Sequence, residues 1–331
     1  MLVPVRLKEG DTIGLVAPAS SANTLRKDVW EIGAKRLASK GFHIKVGKHV
    51  LGQHGHSSGT VRERAEDLNR MFNDDEVNLV MSVLGGFNSH QLLEHIDFEA
   101  IASSRKAFIG FSDITALNNA IWSQAGLMNF SGPSFVTFCQ PDLPYYTERC
   151  FDRMIVEGAA SLDITPSERW AEDKWHSMID LGPRQWMSNP GWDIINKGKA
   201  EGTIVGGNLS TLMLLASTKY WPDMSGTILF IEEDEDESPA TIDRYMTQLR
   251  HMGAFDVING LVIGRMPSNV GFTAGDSLRM VVEEATSGYD LPILTGVDFA
   301  HTDPLLTLPI GGKAAMNADR PSLRFVGPFV T

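Results

Sequence analysis

Apolar runs of strand length alternate with helix-patterned segments over the first 130 residues. DTIGLVAPAS (11–20) is an apolar run that closes on a Pro-Ala-Ser turn. Residues 24–40 carry Leu25, Val29, Ile32 and Leu37 at helical spacing and end at Gly41, a residue suited to a helix C-terminus. Phe42 to Val46 reads as a strand and VRERAEDLNRMFND (61–74) as a helix. VNLVMSVLGG (77–86) is a strand running into a double glycine, and SHQLLEHI (89–96) a short helix. KAFIGFSD (106–113) and ITALNNAIWSQAG (114–126) repeat the strand–helix step. Alternation at this spacing predicts βαβ units and a parallel sheet covered on both faces.

The rhythm breaks over 143–198, which holds Trp170, Trp175, Trp186 and Trp192 together with several prolines. Two roles suit these tryptophans: packing a connecting segment onto the body, or forming an aromatic platform over a flat substrate group. From about residue 199 a second α/β pattern begins. GKAEGTIVGGNLSTLMLLAS gives a strand, a Gly-rich turn and a helix; GTILFIEE and INGLVIGRM read as strands flanking the helix TIDRYMTQLRHMGA. The helix DSLRMVVEEATSG, the run LPILTGVDFAH and two short β-like pieces follow. The expected architecture is α/β throughout. An N-terminal, parallel-sheet, flavodoxin-like domain (1–142) precedes a connecting region with a Trp-rich loop (143–198). A C-terminal α/β domain (199–331) ends the chain, and the active site is expected at the interdomain cleft.

A length of 331 residues fits two domains, and 43% apolar with 21% charged residues is ordinary globular composition. No run approaches the roughly 18 apolar residues of a membrane helix, and the N-terminus lacks a secretory apolar region. The two cysteines, Cys139 and Cys150, form no C-x-x-C pair and suit structural thiols in a reducing compartment. A cytoplasmic location without membrane contact is therefore expected. The formal charge of −12 argues against nucleic acid as a partner. Part of that charge is the run Glu232 to Glu237, a solvated loop except where its first member closes a strand.

In an open parallel sheet, ligands bind beyond the carboxyl ends of the strands. Ser112, Glu232 and His301 each end an apolar run, and a serine, an acid and a histidine so placed form a nucleophile–base–orienter set. IGFSDIT puts Ser112 on a strand-to-helix turn related to the nucleophile elbow, although Ser-Asp at a helix start is equally a plain N-cap. The Asp113 N–H is a first candidate oxyanion donor, and Gly86, in a turn whose backbone can approach a ligand, a second. His54 and His56 lack a third ligand at recognisable spacing, so no metal is expected. GxGxxG and Walker patterns are absent, so no nucleotide cofactor is expected.

Taken in order, these segments resemble the LD-carboxypeptidase family of serine peptidases, which includes microcin C self-immunity peptidases. The resemblance runs through GDTIGLVAPAS, the helix carrying Arg64, Asp67 and Leu68, LGGFNSHQLLEHID, IGFSDIT, EGTIVGGNLSTL, TILFIEE and GVDFAHTDPLLTLPIG. It implies a Ser-His-Glu triad of Ser112, His301 and Glu232 split across two domains, with a one-residue shift of the acid to Glu233 left open. It also implies an oxyanion hole from the Gly86 and Asp113 N–H groups, no cofactor, and a homodimer. Leu84 and Phe87-Asn88-Ser89 around the double glycine are more similar to the microcin-immunity branch, which implicates Asn88 and Ser89 in substrate binding. An aromatic loop in that branch helps hold an adenine-like group, and Trp186 is the favoured counterpart here. The expected reaction is cleavage of the amide between an aminoacyl or peptidyl group and a nucleotide-like moiety. The alternatives are trimming of a murein tetrapeptide and a non-catalytic role in binding a small molecule.

Overall fold

The computed structural model describes residues 1–175 and 181–331; positions 176–180, inside the Trp-rich stretch, lie outside the described residues. The chain opens with β1 (Thr12–Val16), β2 (His43–Val46), β3 (Leu79–Ser82), β4 (Ala107–Gly110) and β5 (Asn129–Ser131). These pair in parallel in the order β2-β1-β3-β4-β5, which is the flavodoxin-like arrangement. Strands β3, β4 and β5 are buried along their whole length. That burial is why they read as continuous apolar runs rather than alternating ones. The helix Val61–Asn73 opens on a capping box, with Thr60 accepting from the Glu63 N–H and the Glu63 carboxylate accepting from the Thr60 N–H.

The middle of the chain supplies β6 (Ser161–Ile164), the two-residue strands β7 (Arg169–Trp170) and β8 (Met187–Ser188), and β9 (Asp193–Asn196). Then come β10 (Lys199–Asn208), β11 (Thr227–Glu232), β12 (Gly260–Gly264), β13 (Ile293–Val297), β14 (Leu308–Ile310), β15 (Lys313–Asn317) and β16 (Ser322–Val326). The second sheet runs β6-β16-β15-β10-β11-β12-β13-β9, with β10 to β13 parallel and the flanking strands antiparallel.

Three features depart from the segmental reading of the sequence. The stretch 143–198 does more than connect, because β6 and β9 form the two edges of the second sheet. Strand β14, late in the chain, crosses back and pairs antiparallel with β5. It thereby covers the outer edge of the first sheet, which would otherwise expose unpaired backbone groups. The segment read as a short helix at 89–96 is a 3₁₀ helix, Ser89–His95.

The two sheets are joined through the helix Thr115–Ala125 and the glycine pair at the end of β10. The Asn119 side chain donates to the Gly206 carbonyl at 2.9 Å and accepts the Gly206 N–H at 3.1 Å. One turn earlier on the same helix face, the Thr115 hydroxyl accepts the Asn208 N–H at 2.9 Å. Both glycines have φ above +100°. A Cβ added at Gly206 would lie 1.9 Å from the Phe230 carbonyl oxygen, and one at Gly207 would lie 2.4 Å from the Thr115 hydroxyl. Only glycine lets this helix sit against the strand.

Cys139 and Cys150 are buried free thiols, and burial pushes both up to about 12, which leaves them unreactive. Among the described residues no helix is long and apolar enough to cross a membrane.

Asn119 is fully buried and serves two backbone groups of the other sheet. Asn119→Ala leaves both without partners and is expected to lower the unfolding free energy by about 3 kcal/mol, measured by urea denaturation. A variant as stable as the parent chain would show that this contact does not hold the sheets together.

Candidate active site

Ser112 lies just beyond the end of β4, and its backbone has φ +65°, a left-handed conformation uncommon for a residue with a side chain. The turn is enforced from two sides. Gly85 packs against it so closely that an added Cβ would meet the Ser112 Cβ at 2.9 Å and Oγ at 3.0 Å. From below, the buried Asp113 carboxylate accepts the N–H groups of Asn88 at 3.1 Å and Ser89 at 2.8 Å. The Ser89 hydroxyl donates to the Asp113 carbonyl at 2.6 Å. Burial pushes the Asp113 carboxyl upward, and the Ser89 bonds act against that rise. Asn88 and Ser89 thus brace the Ser112 turn from behind, and neither is among the residues lining the cavity in front of it.

The carboxylate comes from the end of β11. Side chains alternate across an extended strand, so Glu232 and Glu233 face opposite ways. The Glu232 Oε2 lies 2.7 Å from His301 Nδ1. Glu233 points to the start of the helix Leu209–Met213, where it accepts from the Asn208 side chain and the Ser210 N–H. Burial, then the neighbouring Glu232 charge, push Glu233 up to about 8. Of the two neighbouring acids, Glu232 meets the imidazole and Glu233 anchors a helix.

His301 stands in the loop after β13, with its Nε2 2.9 Å from Ser112 Oγ. Its ring leans on Phe111 at a centroid distance of 5.4 Å. The loop is tied down by Asp303. The Asp303 backbone bridges Ala171 in both directions, and its carboxylate takes Nη2 of the buried Arg184 at 2.8 Å. The same guanidinium reaches Asp173 at 2.7 Å and Gln140 at 2.5 Å.

Ser112 and His301 open onto a cavity of about 430 Å³ whose walls also include Gly85, Gly86, Phe87, Phe111, Trp175 and Asp234. Trp186, the expected platform, is not among its lining residues. Its indole N–H donates to Asp142 at 3.1 Å, and its ring packs under Arg169 and Arg184, at 4.5 and 5.1 Å. It borders a separate hollow that shares Trp175 with the main cavity. Trp192 donates to Asp298, and Trp170 lies under Arg265. Of the four tryptophans in this stretch, Trp175 reaches the cavity lined by Ser112.

The sequence reading missed Thr115, Asn119, Asp234 and Arg184. Thr115 and Asn119 sit one turn apart on the helix that follows Ser112, a spacing that puts them on one face. Asp234 stands two residues beyond Glu232, a spacing that puts both on one face of an extended strand. Nothing local marks Arg184, whose three partners are distant in the chain.

Residues 13–132 match the LD-carboxypeptidase N-terminal domain and residues 201–316 the C-terminal domain. A Bacillus subtilis protein named as a murein peptide carboxypeptidase is 34% identical, over 95% of this chain and 91% of its own. The microcin C7 self-immunity protein MccF of Escherichia coli is 32% identical, over 100% of this chain and 97% of its own. Its structure in complex with aspartyl sulfamoyl adenosine matches with a TM-score of 0.91, over 100% of both chains at 32% identity. An MccF-like protein from Bacillus anthracis matches with a TM-score of 0.94, at 34% identity, over 98% of this chain and 99% of that one.

Burial alone would lower the imidazole pKa of His301. The Glu232 charge and hydrogen bond outweigh it, with Asp234 and Glu233 adding to them, and raise it to about 9. The folded-state value lies above the ordinary 6.5. The pair's contribution to stability is therefore fully present below about pH 6.5 and is lost as pH rises through about 9. His301 is expected to titrate above the ordinary imidazole range by NMR, and lower in Glu232→Gln. An ordinary titration in the parent chain, or none of that fall in the variant, would contradict the assignment of the pair.

Proposed function

The chain belongs to the LD-carboxypeptidase family and is a serine-type carboxypeptidase or amidohydrolase, and we propose that Ser112 opens the amide joining an aminoacyl or peptidyl group to a nucleotide-like moiety. The observation that carries this reading is the continuous path from Glu232 through His301 to Ser112, with links of 2.7 and 2.9 Å.

Each group then has one task. In its neutral form, which grows as pH rises toward about 9, His301 Nε2 takes the proton of Ser112 as the hydroxyl oxygen attacks the carbonyl carbon. Glu232 holds the Nδ1 proton, fixes the tautomer and stabilises the imidazolium. The left-handed turn lifts the hydroxyl toward the cavity, and the Gly86 and Asp113 N–H groups hold the oxyanion that forms. Loss of one such donor typically costs on the order of 3 kcal/mol of transition-state stabilisation. His301 returns the proton to the departing amine, and a water activated by the same imidazole hydrolyses the acyl-enzyme.

A cavity of about 430 Å³ suits a small amide rather than a folded protein. The similarity to MccF, whose structure holds aspartyl sulfamoyl adenosine, supports an aminoacyl nucleotide-like substrate. A second reading, removal of the terminal D-residue from a murein tetrapeptide, has its support in the Bacillus subtilis relative named for murein peptides.

Incubation with an aminoacyl sulfamoyl adenosine and with a murein tetrapeptide separates the two. Release of the sulfamoyl nucleoside selects the first and release of D-alanine the second; neither product counts against both. Ser112→Ala is expected to keep the fold and lower kcat by on the order of 10⁵-fold. Turnover close to that of the parent chain would rule out the mechanism.

A further inference from the structure

The cavity contains a carboxylate that the triad does not use. Most acidic side chains around it are already engaged. Asp173 and Asp303 hold Arg184, Glu172 accepts from the Ser268 N–H and hydroxyl, and Glu235 pairs with Lys174 at 2.5 Å. Asp234 differs. Its Oδ1 accepts the Asp236 N–H at 2.9 Å, which fixes the carboxylate plane. Its Oδ2 lies 3.9 Å from His301 Nε2, the nitrogen that faces Ser112, and is too far to bond to it. Asp234 stands two residues beyond Glu232, just past the end of β11.

A fixed carboxylate oxygen beside the reactive serine selects for charge. In a reactive pose the substrate carbonyl carbon sits about 3–3.5 Å from the nucleophile. The α-nitrogen of an aminoacyl group is one carbon further out. Oδ2 lies no more than the sum of two short steps from Ser112 Oγ, 2.9 Å to Nε2 and 3.9 Å onward. An α-ammonium can therefore reach it with the carbonyl still over Ser112. A free α-amine is largely protonated at neutral pH, and its hydrogen bond to a carboxylate is of the strong, charge-assisted kind. An N-acylated residue has an amide at that position and carries no charge to offer.

We propose that Asp234 is a specificity-determining residue that accepts the free α-ammonium group of the substrate's acyl part, beside the carbonyl attacked by Ser112. The proposal rests on the acyl-transfer reading and narrows it. The substrate class is an aminoacyl amide with an unblocked amine, in preference to an N-acylated or peptidyl one. The charged groups whose fields reach His301 in this region are Glu232, Asp234, Glu233 and Glu235. Of these, Asp234 alone combines a place in the cavity wall with an oxygen beside Nε2.

The test uses L-alanyl sulfamoyl adenosine and its desamino counterpart, propionyl sulfamoyl adenosine, at neutral pH. The parent chain is expected to prefer the alanyl probe in kcat/KM by about tenfold or more. Asp234→Asn is expected to lose that preference: the ratio of kcat/KM for the alanyl to the propionyl probe falls toward one, on top of any change that both probes share through His301. Binding to Ser112→Ala and to the Ser112→Ala/Asp234→Asn double variant gives an arm that needs no turnover. The alanyl probe should bind the single variant more tightly than the double, and the propionyl probe should bind both alike. Equal handling of the two probes, an equal loss on both in Asp234→Asn, or no binding of either probe overturns the proposal. Tighter alanyl binding without hydrolysis by the parent chain would keep Asp234's role and overturn the catalytic reading instead.

Discussion

The arrangement of the site depends on how one helix seats against one pair of glycines. Ser112 is carried by the first sheet and Glu232 by the second, so their relation is set by whatever holds the sheets in register. That contact is the edge of the helix Thr115–Ala125 lying on Gly206 and Gly207, with Asn119 satisfying both polar groups of Gly206. Its position explains its leverage. Thr115 is three residues from the nucleophile, and Asn208 is the direct neighbour of Glu232 in the paired strands. A shift of the helix along β10 would move the hydroxyl relative to the carboxylate by the same amount. Reaction rates are sensitive to displacements on the order of 1 Å.

The second constraint is electrostatic. The imidazole is half-buried beside several carboxylates, and the balance between desolvation and charge decides its protonation. Alternation along the strand divides the labour. Glu232 and Asp234 face His301, while Glu233 turns away to hold the amides of the neighbouring helix. Opposite them, the buried Arg184 gathers Gln140, Asp173 and Asp303 into one cluster. That cluster fixes the His301 loop to the segment before β9, so the middle of the chain supports the base as well as completing a sheet.

The features legible in the sequence were those set by local pattern. The parallel strands declared themselves as apolar runs. Ser112 and Glu232 were visible because functional groups gather at the carboxyl ends of such strands, and His301 because it follows one closely. What escaped the sequence was set by pairing across long distances. Strand β14 joins the first sheet through a partner more than 170 residues away. Asn88 and Ser89 looked like substrate contacts because they follow the double glycine. Their amides turn instead to the Asp113 carboxylate, a partner that only the fold supplies. Trp186 likewise has partners that only the fold supplies, two arginines and Asp142, and it borders a hollow beside the Ser112 cavity.

The central claim is that the Ser112 hydroxyl is made nucleophilic by an imidazole held on the other side of the cleft. Labelling with a fluorophosphonate, followed by peptide mapping, reads this directly. The adduct is expected on Ser112 in the parent chain and is expected to be lost in His301→Ala. Labelling at a different residue, or labelling of Ser112 at an undiminished rate without the imidazole, would contradict it.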